Sequence, residues 1–215
     1  MTQNRTESSR NRRQLMPKSI CLLLGAAFCV IAGSTAWAGL DSAREAARSG
    51  DHARAYRELT PLAAAGNKDA QYYLGGLYYK GEGAAQNYEK AASWFQKSAD
   101  QGNPKAQTDL AQCYLLGYGV EKDSVVAIGW YRRAAAQGYA PAALNLAAMI
   151  TSGTGSERDL VQTHVWATIA MSKFSGEDYE SAARIRYSTK LLLPPAQFEE
   201  AQQMVREWRP VEEKP

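Results

Sequence analysis

The single cysteine outside the N-terminal segment is the first candidate for a nucleophile in this chain of 215 residues. Cys113 lies thirty-six residues after Leu77 and thirty-six residues before Met149, so it shares a position in the sequence pattern with two apolar residues. Reactive cysteines need an exposed and electropositive environment, which such a position does not offer. We therefore predict that Cys113 is a buried core thiol.

The two histidines, His52 and His164, are the candidates for a general base or a metal ligand. Neither is followed four residues later by a Cys, Asp or Glu, the spacing that would put two ligands on one helical face. No Ser-His-Asp arrangement and no pair of carboxylates can be assigned either. The sequence therefore predicts no catalytic residue, no metal and no cofactor, and the protein is not expected to be an enzyme.

Three Gly-x-Gly triplets, at residues 81–83, 117–119 and 153–155, are candidates for a loop that binds phosphate. Such a loop needs a third glycine and a preceding strand, and both are missing from the pattern. The triplets recur at a constant interval of thirty-six residues. That regularity favours turns between helices.

The same interval governs the centre of the chain. Ala-Gln-Tyr-Tyr-Leu-Gly at 70–75 returns as Ala-Gln-Thr-Asp-Leu-Ala at 106–111, and Ala-Ala-Ser-Trp-Phe at 91–95 returns as Ala-Ile-Gly-Trp-Tyr at 127–131. A period of this length is typical of stacked helical repeats. Each unit divides at its Gly-x-Gly triplet into a first helix, A, and a second helix, B.

Capping residues support this division. Four residues with side chains suited to an N-cap recur at the same interval before each helix B: Asp51, Asn87, Asp123 and Asp159. Glycines that suit a helix C-terminus follow three of the B helices, at positions 66, 102 and 138. Trp94, Trp130 and Trp166 are predicted to be the large core residues of the B helices.

The fold expected from these repeats is all-α, a right-handed α/α-superhelix of about ten helices, present as a monomer. The predicted segments are a diverged first repeat at 39–69, fuller repeats at 70–105, 106–141 and 142–175, a capping helix pair at 176–209, and a disordered tail at 210–215. Phe198, Ala201, Val205 and Trp208 form one apolar side of the last helix, as a terminal cap requires.

Residues 1–38 have the three parts of a secretory signal peptide. Five basic residues precede an apolar run at 20–31, and Ala36-Trp37-Ala38 is a small-x-small cleavage site. An uncleaved N-terminal anchor is the alternative, and the start (Met1 or Met16) and the export route (general secretory or twin-arginine) stay open. We predict an exported, periplasmic protein without stable membrane insertion after cleavage.

Cleavage would leave a nearly neutral chain. Residues 1–38 hold five of the 25 basic and one of the 22 acidic residues, so 20 basic and 21 acidic residues remain. This balance does not favour nucleic acid or an anionic membrane as a partner.

The repeated motifs resemble a known family. Ala-Gln-x-x-Leu-Gly-x-x-Tyr, then Gly-x-Gly, then Ala-x-x-Trp-Phe/Tyr and Ala-x-Gln-Gly are similar to the Sel-one-like repeat, an α/α relative of the tetratricopeptide repeat. The resemblance implies an adaptor that binds a protein or peptide, often in the bacterial envelope. It implies no catalytic residue.

In related helical repeats the side of helix A that faces away from the core lines a concave groove. Here that side would carry Tyr72, Tyr73, Tyr79, Lys80, Lys105, Thr108, Gln112, Leu144 and Asn145. Tyrosine is enriched at binding hot spots, so we predict a groove that binds a protein or peptide partner. The tyrosines could instead pack between adjacent A helices.

Two other functions remain open at this point. One is a periplasmic hydrolase acting on cell-wall or β-lactam substrates, as discussed for cysteine-rich relatives whose paired cysteines this chain lacks. The other is a scaffold that organises envelope enzymes through the convex, helix B side.

Overall fold

The structure is a computed structural model that describes residues 39–154 and 159–211. Within these residues it contains ten α-helices and no strand, which confirms the all-α prediction. The helices are α1 (39–48), α2 (His52–Ala64), α3 (Lys68–Lys80), α4 (Tyr88–Asp100), α5 (Pro104–Leu116), α6 (Ser124–Ala136), α7 (Ala140–Ser152), α8 (Leu160–Met171), α9 (Gly176–Leu192) and α10 (Pro195–Glu207). The segment assigned to a signal peptide, 1–38, lies outside the described residues.

Helices that are adjacent in the chain pack on one another from α2 to α9, and α10 packs on α8. The contacts within a repeat, α3 with α4, α5 with α6 and α7 with α8, are more extensive than those between successive repeats, α4 with α5 and α6 with α7. No helix in the described part of the chain is both long and apolar enough to span a bilayer. The architecture is an α/α-solenoid, as the thirty-six-residue period predicts.

The predicted N-caps of the B helices are confirmed. The carboxylates of Asp51, Asp123 and Asp159 and the amide oxygen of Asn87 accept hydrogen bonds of 2.8–3.0 Å from backbone N–H groups in the first turn of α2, α6, α8 and α4. These bonds satisfy donors that a helix N-terminus otherwise leaves unpaired.

The A helices begin with a cap that the sequence reading did not identify. Asn67 accepts from the backbone N–H of Ala70 at 2.9 Å, and Asn103 occupies the same position one repeat later and accepts from Lys105 and Ala106. In the third repeat this position is Tyr139, and α7 has no side-chain cap.

The second glycine of the Gly-x-Gly turn is required for two reasons at Gly83 and Gly119. Both have a backbone φ of +72°, a conformation that residues other than glycine rarely adopt. A Cβ atom would also overlap the backbone carbonyl of His52 at Gly83, and that of Tyr88 at Gly119. These triplets therefore let each turn contact the start of the preceding B helix, in agreement with the predicted structural role.

A ladder of glutamines connects successive repeats. The Nε2 of buried Gln71 donates to the carbonyl of Ala63 at 3.1 Å, and its Oε1 accepts from Gln101 at 2.7 Å. Gln107 makes the equivalent bond to the preceding B helix at 3.2 Å and accepts from Gln137 at 2.8 Å. The ladder satisfies buried carbonyls at helix C-termini and explains the Ala-Gln and Gln-Gly motifs.

The prediction for the tryptophans was wrong in two of the three repeats. The aromatic residues buried in α4 and α6 are Phe95 and Tyr131, each 2% exposed, whereas Trp94 and Trp130 are half-buried. The buried stripe of α4 passes through Ala91, Phe95 and Ala99 at intervals of four residues, which leaves the preceding tryptophan at its edge. Trp166 in α8 is buried, as predicted.

Gly75 of α3 makes room for the Phe95 ring. A Cβ atom on Gly75 would lie 2.7 Å from two ring carbons of Phe95. The larger residue in α4 thus depends on the absence of a side chain in α3. The same two positions in the next repeat hold Ala111 and Tyr131, both buried.

The C-terminal helix pair covers the end of the solenoid, since α9 and α10 both pack on α8. The predicted disordered tail needs correction for residues 210 and 211. Pro210 and Trp208 lie beside Gly138, and the Val211 backbone N–H donates to the carbonyl of Ala136 at 2.8 Å. The chain therefore returns from the cap to the end of α6. Residues 212–215 lie outside the described residues.

Candidate binding groove

A cleft of about 440 Å³ lies where α1, α3 and α5 come together. Its walls include five of the nine residues predicted for the groove: Tyr72, Tyr73, Tyr79, Lys80 and Gln112. We call this cavity the tyrosine cleft. Its size falls within the range of about 300–1,000 Å³ typical of ligand sites.

The wall of the tyrosine cleft is a continuous aromatic surface. The ring centroids of Tyr73 and Tyr72 are 5.3 Å apart, those of Tyr72 and Phe95 are 6.0 Å apart, and those of Phe95 and Tyr79 are 6.4 Å apart. The ring of Tyr79 then meets Tyr88 at 5.3 Å. These separations suit favourable tilted and edge-on ring contacts, so the surface is held in place by its own packing.

The tyrosines combine the two roles that the sequence left open. Tyr72 and Tyr79 pack against the core between α4 and α5, and Tyr73 packs against the core at the N-terminal end of the solenoid. All three are nonetheless half-buried and line the cleft. Packing against the core fixes one side of each ring and leaves the other side on the groove.

Asp109 of α5 is the carboxylate among these rings. It is half-buried, lines the cleft and accepts a hydrogen bond from the hydroxyl of Tyr72. Burial raises the pKa of Asp109 to about 6, while the Tyr72 hydrogen bond and the positive charge of Lys80 oppose this rise. The same position in the preceding repeat is Tyr73, and in the following repeat it is Asn145.

Burial also shifts the pKa of the tyrosines around Asp109. It raises the pKa of Tyr72 and Tyr79, and it raises the pKa of Tyr131 to about 12, with the Asp109 carboxylate adding to each effect. The tyrosines therefore stay protonated at neutral pH and can donate hydrogen bonds from their hydroxyls.

Helix α1 supplies cleft residues that the sequence reading did not identify. Arg44 and Arg48 line the cleft from α1, and the guanidinium of Arg44 lies 5.5 Å from the ring centre of Tyr73. The first repeat at 39–69 is diverged and lacks the Ala-Gln and Gly-x-Gly motifs, so the repeat pattern did not indicate that α1 contributes to the groove.

The remaining predicted groove residues lie elsewhere. Lys105 is exposed and lines a second cleft at the N-terminal ends of α3 and α5. Thr108 needs correction, because it is 8% exposed and its hydroxyl donates to the Pro104 carbonyl at 2.8 Å. Leu144 is half-buried against the core and Asn145 is exposed, both on α7.

Cys113 and His164 are core residues, and His52 lies at the start of a helix. Cys113 is fully buried, as predicted, and burial raises the pKa of its thiol to about 12, which disfavours the nucleophilic thiolate. His164 is buried beside Thr189, with 3.1 Å between Nδ1 and Oγ1, and burial lowers its pKa. His52 is half-buried at the start of α2. Among the described residues no group of three or more potential ligands could hold a metal ion.

The fold and the cleft together define the class: an α/α-solenoid with a side-chain-lined groove along its A helices. Within this class the chain resembles proteins built from Sel1 repeats. The Sel1 repeat family matches residues 68–103, 104–139 and 140–170. These units begin two residues before the predicted ones, a different choice of origin within the same period. Sel1 repeats form helical scaffolds that commonly mediate protein interactions and are generally not catalytic.

Two solved structures resemble this chain. A Sel1 repeat protein from Oxalobacter formigenes is 28% identical with a TM-score of 0.63, and the match covers 77% of this chain and 65% of that one. A protective antigen of uropathogenic Escherichia coli strains, which displays an SLR fold, is 29% identical with a TM-score of 0.52 over 72% of this chain and 40% of that one. The chain therefore spans less than two thirds of either protein. A comparison with curated proteins gave no match.

Proposed function

We propose that this protein is an adaptor that binds an extended segment of a partner protein in the groove of its A helices, with the tyrosine cleft as the main anchoring point. The single observation that carries the proposal is the half-exposed aromatic wall formed by Tyr72, Tyr73 and Tyr79 around a cavity of about 440 Å³. Tyrosines held by core packing lose little conformational entropy when a partner binds.

The chemistry of the cleft favours a peptide over a purely apolar ligand. Phenol groups, the Gln112 amide and the Asp109 carboxylate provide donors and acceptors beside the aromatic area. An extended peptide presents backbone N–H and C=O groups together with side chains, so it can use both kinds of contact. The occupant we propose is therefore a segment of polypeptide.

Export to the periplasm is part of the proposal. Its support is the basic segment, apolar run and small-x-small site within residues 1–38. Fractionation of cells expressing the full chain, together with N-terminal sequencing of the mature protein, tests it. A mature protein that starts near residue 39 in the periplasmic fraction supports export, and an unprocessed protein in the cytoplasm contradicts it.

The groove is tested by a double substitution. A peptide display library selected on the wild-type protein supplies binders, and fluorescence anisotropy measures their affinity for variants. We expect Tyr72→Ala with Tyr79→Ala to weaken binding at least tenfold, because about 1.4 kcal/mol corresponds to each factor of ten and two anchoring rings are lost.

Two controls make the result specific. Tyr187→Ala removes a tyrosine that is 65% exposed on α9, far along the chain from the cleft, and should leave binding unchanged. Circular dichroism and thermal unfolding check that the double variant is folded. Unchanged affinity of a folded double variant would contradict the groove assignment, and loss of binding in Tyr187→Ala would move the site towards the cap.

A further inference from the structure

Among the described residues, each Arg or Lys that lines the tyrosine cleft lies within 4.0 Å of a carboxylate. Arg44 lies 3.6 Å from Asp41, and Arg48 lies 3.6 Å from Glu45, in each case measured between guanidinium nitrogen and carboxylate oxygen. Each of these cations therefore has a carboxylate neighbour of its own, supplied by the same helix.

The third cation of the cleft is paired in the same way. The Nζ of Lys80 lies 3.9 Å from the Oε2 of Glu82. Asp109 differs, because no Lys or Arg among the described residues comes within 4.0 Å of its carboxylate, and its bonded neighbour is the neutral Tyr72 hydroxyl. Asp109 is thus a cleft carboxylate without a close cationic neighbour in the described part of the chain.

That carboxylate lies where a cation would be well bound. Removing a carboxylate from water without a counter-charge is costly, and a cationic group from a partner would recover part of that cost. The rings of Tyr72 and Tyr79 adjoin the same cavity, and aromatic faces attract cations with an energy of about 0.5–2 kcal/mol.

We propose that the tyrosine cleft anchors its partner through a lysine or arginine side chain, whose cation pairs with Asp109 beside the rings of Tyr72 and Tyr79. This inference rests on the proposed function, since it names the side chain that the peptide groove selects. The aliphatic stem of the partner residue would lie along the aromatic wall.

Four pools of degenerate nonapeptides test this inference. They are acetylated and amidated, and they differ only in a fixed central residue: lysine, arginine, norleucine or glutamate. Norleucine has the aliphatic chain of lysine without its charge. We expect the lysine and arginine pools to bind the mature chain at least fivefold more tightly than the norleucine pool, and the glutamate pool to bind most weakly.

Asp109→Asn is the matched variant. It keeps the shape of the side chain and an oxygen that can accept from Tyr72, but it removes the charge. The preference for lysine over norleucine should fall below about twofold. A preference that persists in Asp109→Asn would overturn the assignment to this carboxylate.

A pH titration of the lysine pool gives an independent readout. Because the pKa of Asp109 is about 6, the preference for lysine should decrease as the pH falls from 7 to 5. The groups facing this carboxylate are Tyr72, Tyr79 and Lys80 from α3, Cys113 from α5, and Tyr131 and Tyr139 from α6 and the α6–α7 turn. Burial raises the pKa of these tyrosines and of the Cys113 thiol, so they keep their protons between pH 5 and 7.

His52 also lines the cleft. His52→Gln is therefore measured alongside and should show the same pH dependence. The outcomes separate the two proposals. Equal binding of the lysine and norleucine pools overturns the cation inference and leaves the peptide groove standing. Failure of all four pools to bind contradicts the proposed function, and the cation inference with it.

Discussion

The first two fuller repeats and the third repeat have the same backbone fold but differ in their exposed and buried side chains. Helices α3 and α5 begin with an asparagine cap and contain the buried glutamines of the ladder. They also carry polar or aromatic residues that line the tyrosine cleft. Helix α7 begins at Tyr139 without a side-chain cap, has Ala143 in the ladder position, and buries seven of its thirteen residues. The N-terminal repeats carry the cleft, and the third repeat carries the largest core.

This difference shows how a repeat protein can vary function without changing fold. Stacking needs only small residues at the helix contacts and one large apolar residue per layer, such as Leu74, Leu110 and Leu146 at the same repeat position. The opposite side of each A helix is free to change. Where it became aromatic and charged, it forms the tyrosine cleft.

The comparison predicts that the third repeat tolerates core damage least. Leu146 is 0% exposed within a cluster of nineteen buried residues among those described, whereas Leu74, 1% exposed, belongs to a cluster of nine. We expect Leu146→Ala to lower the free energy of unfolding by about 4 kcal/mol and Leu74→Ala by about 3 kcal/mol. The reason is that the larger cluster is enclosed on more sides and can relax less.

Urea denaturation of the two variants and the wild type measures both values. A larger loss for Leu74→Ala would mean that the cleft half, and not the capped half, holds the more rigid core.

The glutamine ladder gives the next largest effect. Gln107→Ala would give the second repeat the residue that the third repeat has naturally at position 143. Gln107 is 0% exposed, and its loss leaves the Ala99 carbonyl and the Gln137 amide without these partners. We expect a loss of about 3 kcal/mol, because unpaired buried polar groups add to the cavity.

Gln203→Ala is the control for this change. Its side chain is exposed on α10 and bonds only to Glu207 in the same helix, so about 0.5 kcal/mol or less should be lost in thermal or urea unfolding. A similarly small effect for Gln107→Ala would show that the ladder is dispensable in the second repeat.

Asp109→Asn is expected to have the smallest effect on the free energy of unfolding, and this effect has the opposite sign. It places in the second repeat the residue found at position 145 in the third. Because the pKa of Asp109 is raised from 3.8 to about 6 in the fold, ionisation costs stability as the pH rises through 6. This pKa shift corresponds to a loss of at most about 3 kcal/mol in the free energy of unfolding at high pH. Because the group is only half-buried, we expect about 1–2 kcal/mol.

The variant should therefore be more stable than the wild type by about 1–2 kcal/mol at pH 8 and equally stable at pH 3.5, below the unfolded-state pKa, in urea titrations at both values. Glu200→Gln, an exposed carboxylate on α10, should show no such difference. A loss of stability in Asp109→Asn at pH 8 would contradict this prediction. It would mean that the hydrogen bond from Tyr72 to the carboxylate outweighs the cost of burying the charge.

Local patterns determined most of the fold from the sequence. The thirty-six-residue period, the four N-caps before the B helices and the burial of Cys113 are all confirmed, because caps involve residues within one turn and repeat positions inherit their neighbours. The aromatic side of α3 was also visible, since helical spacing alone puts Tyr72 and Tyr79 on one side.

Contacts between helices that are far apart in sequence were decided only by the tertiary structure. The choice of Phe95 over Trp94 for the core depends on the space that Gly75 leaves, and the burial of Thr108 depends on how α5 turns against its neighbours. The unpaired state of Asp109 follows from which cations of α1 and α3 are already paired. A repeat pattern specifies which residues are equivalent, but side-chain packing in three dimensions decides which of them differ in function.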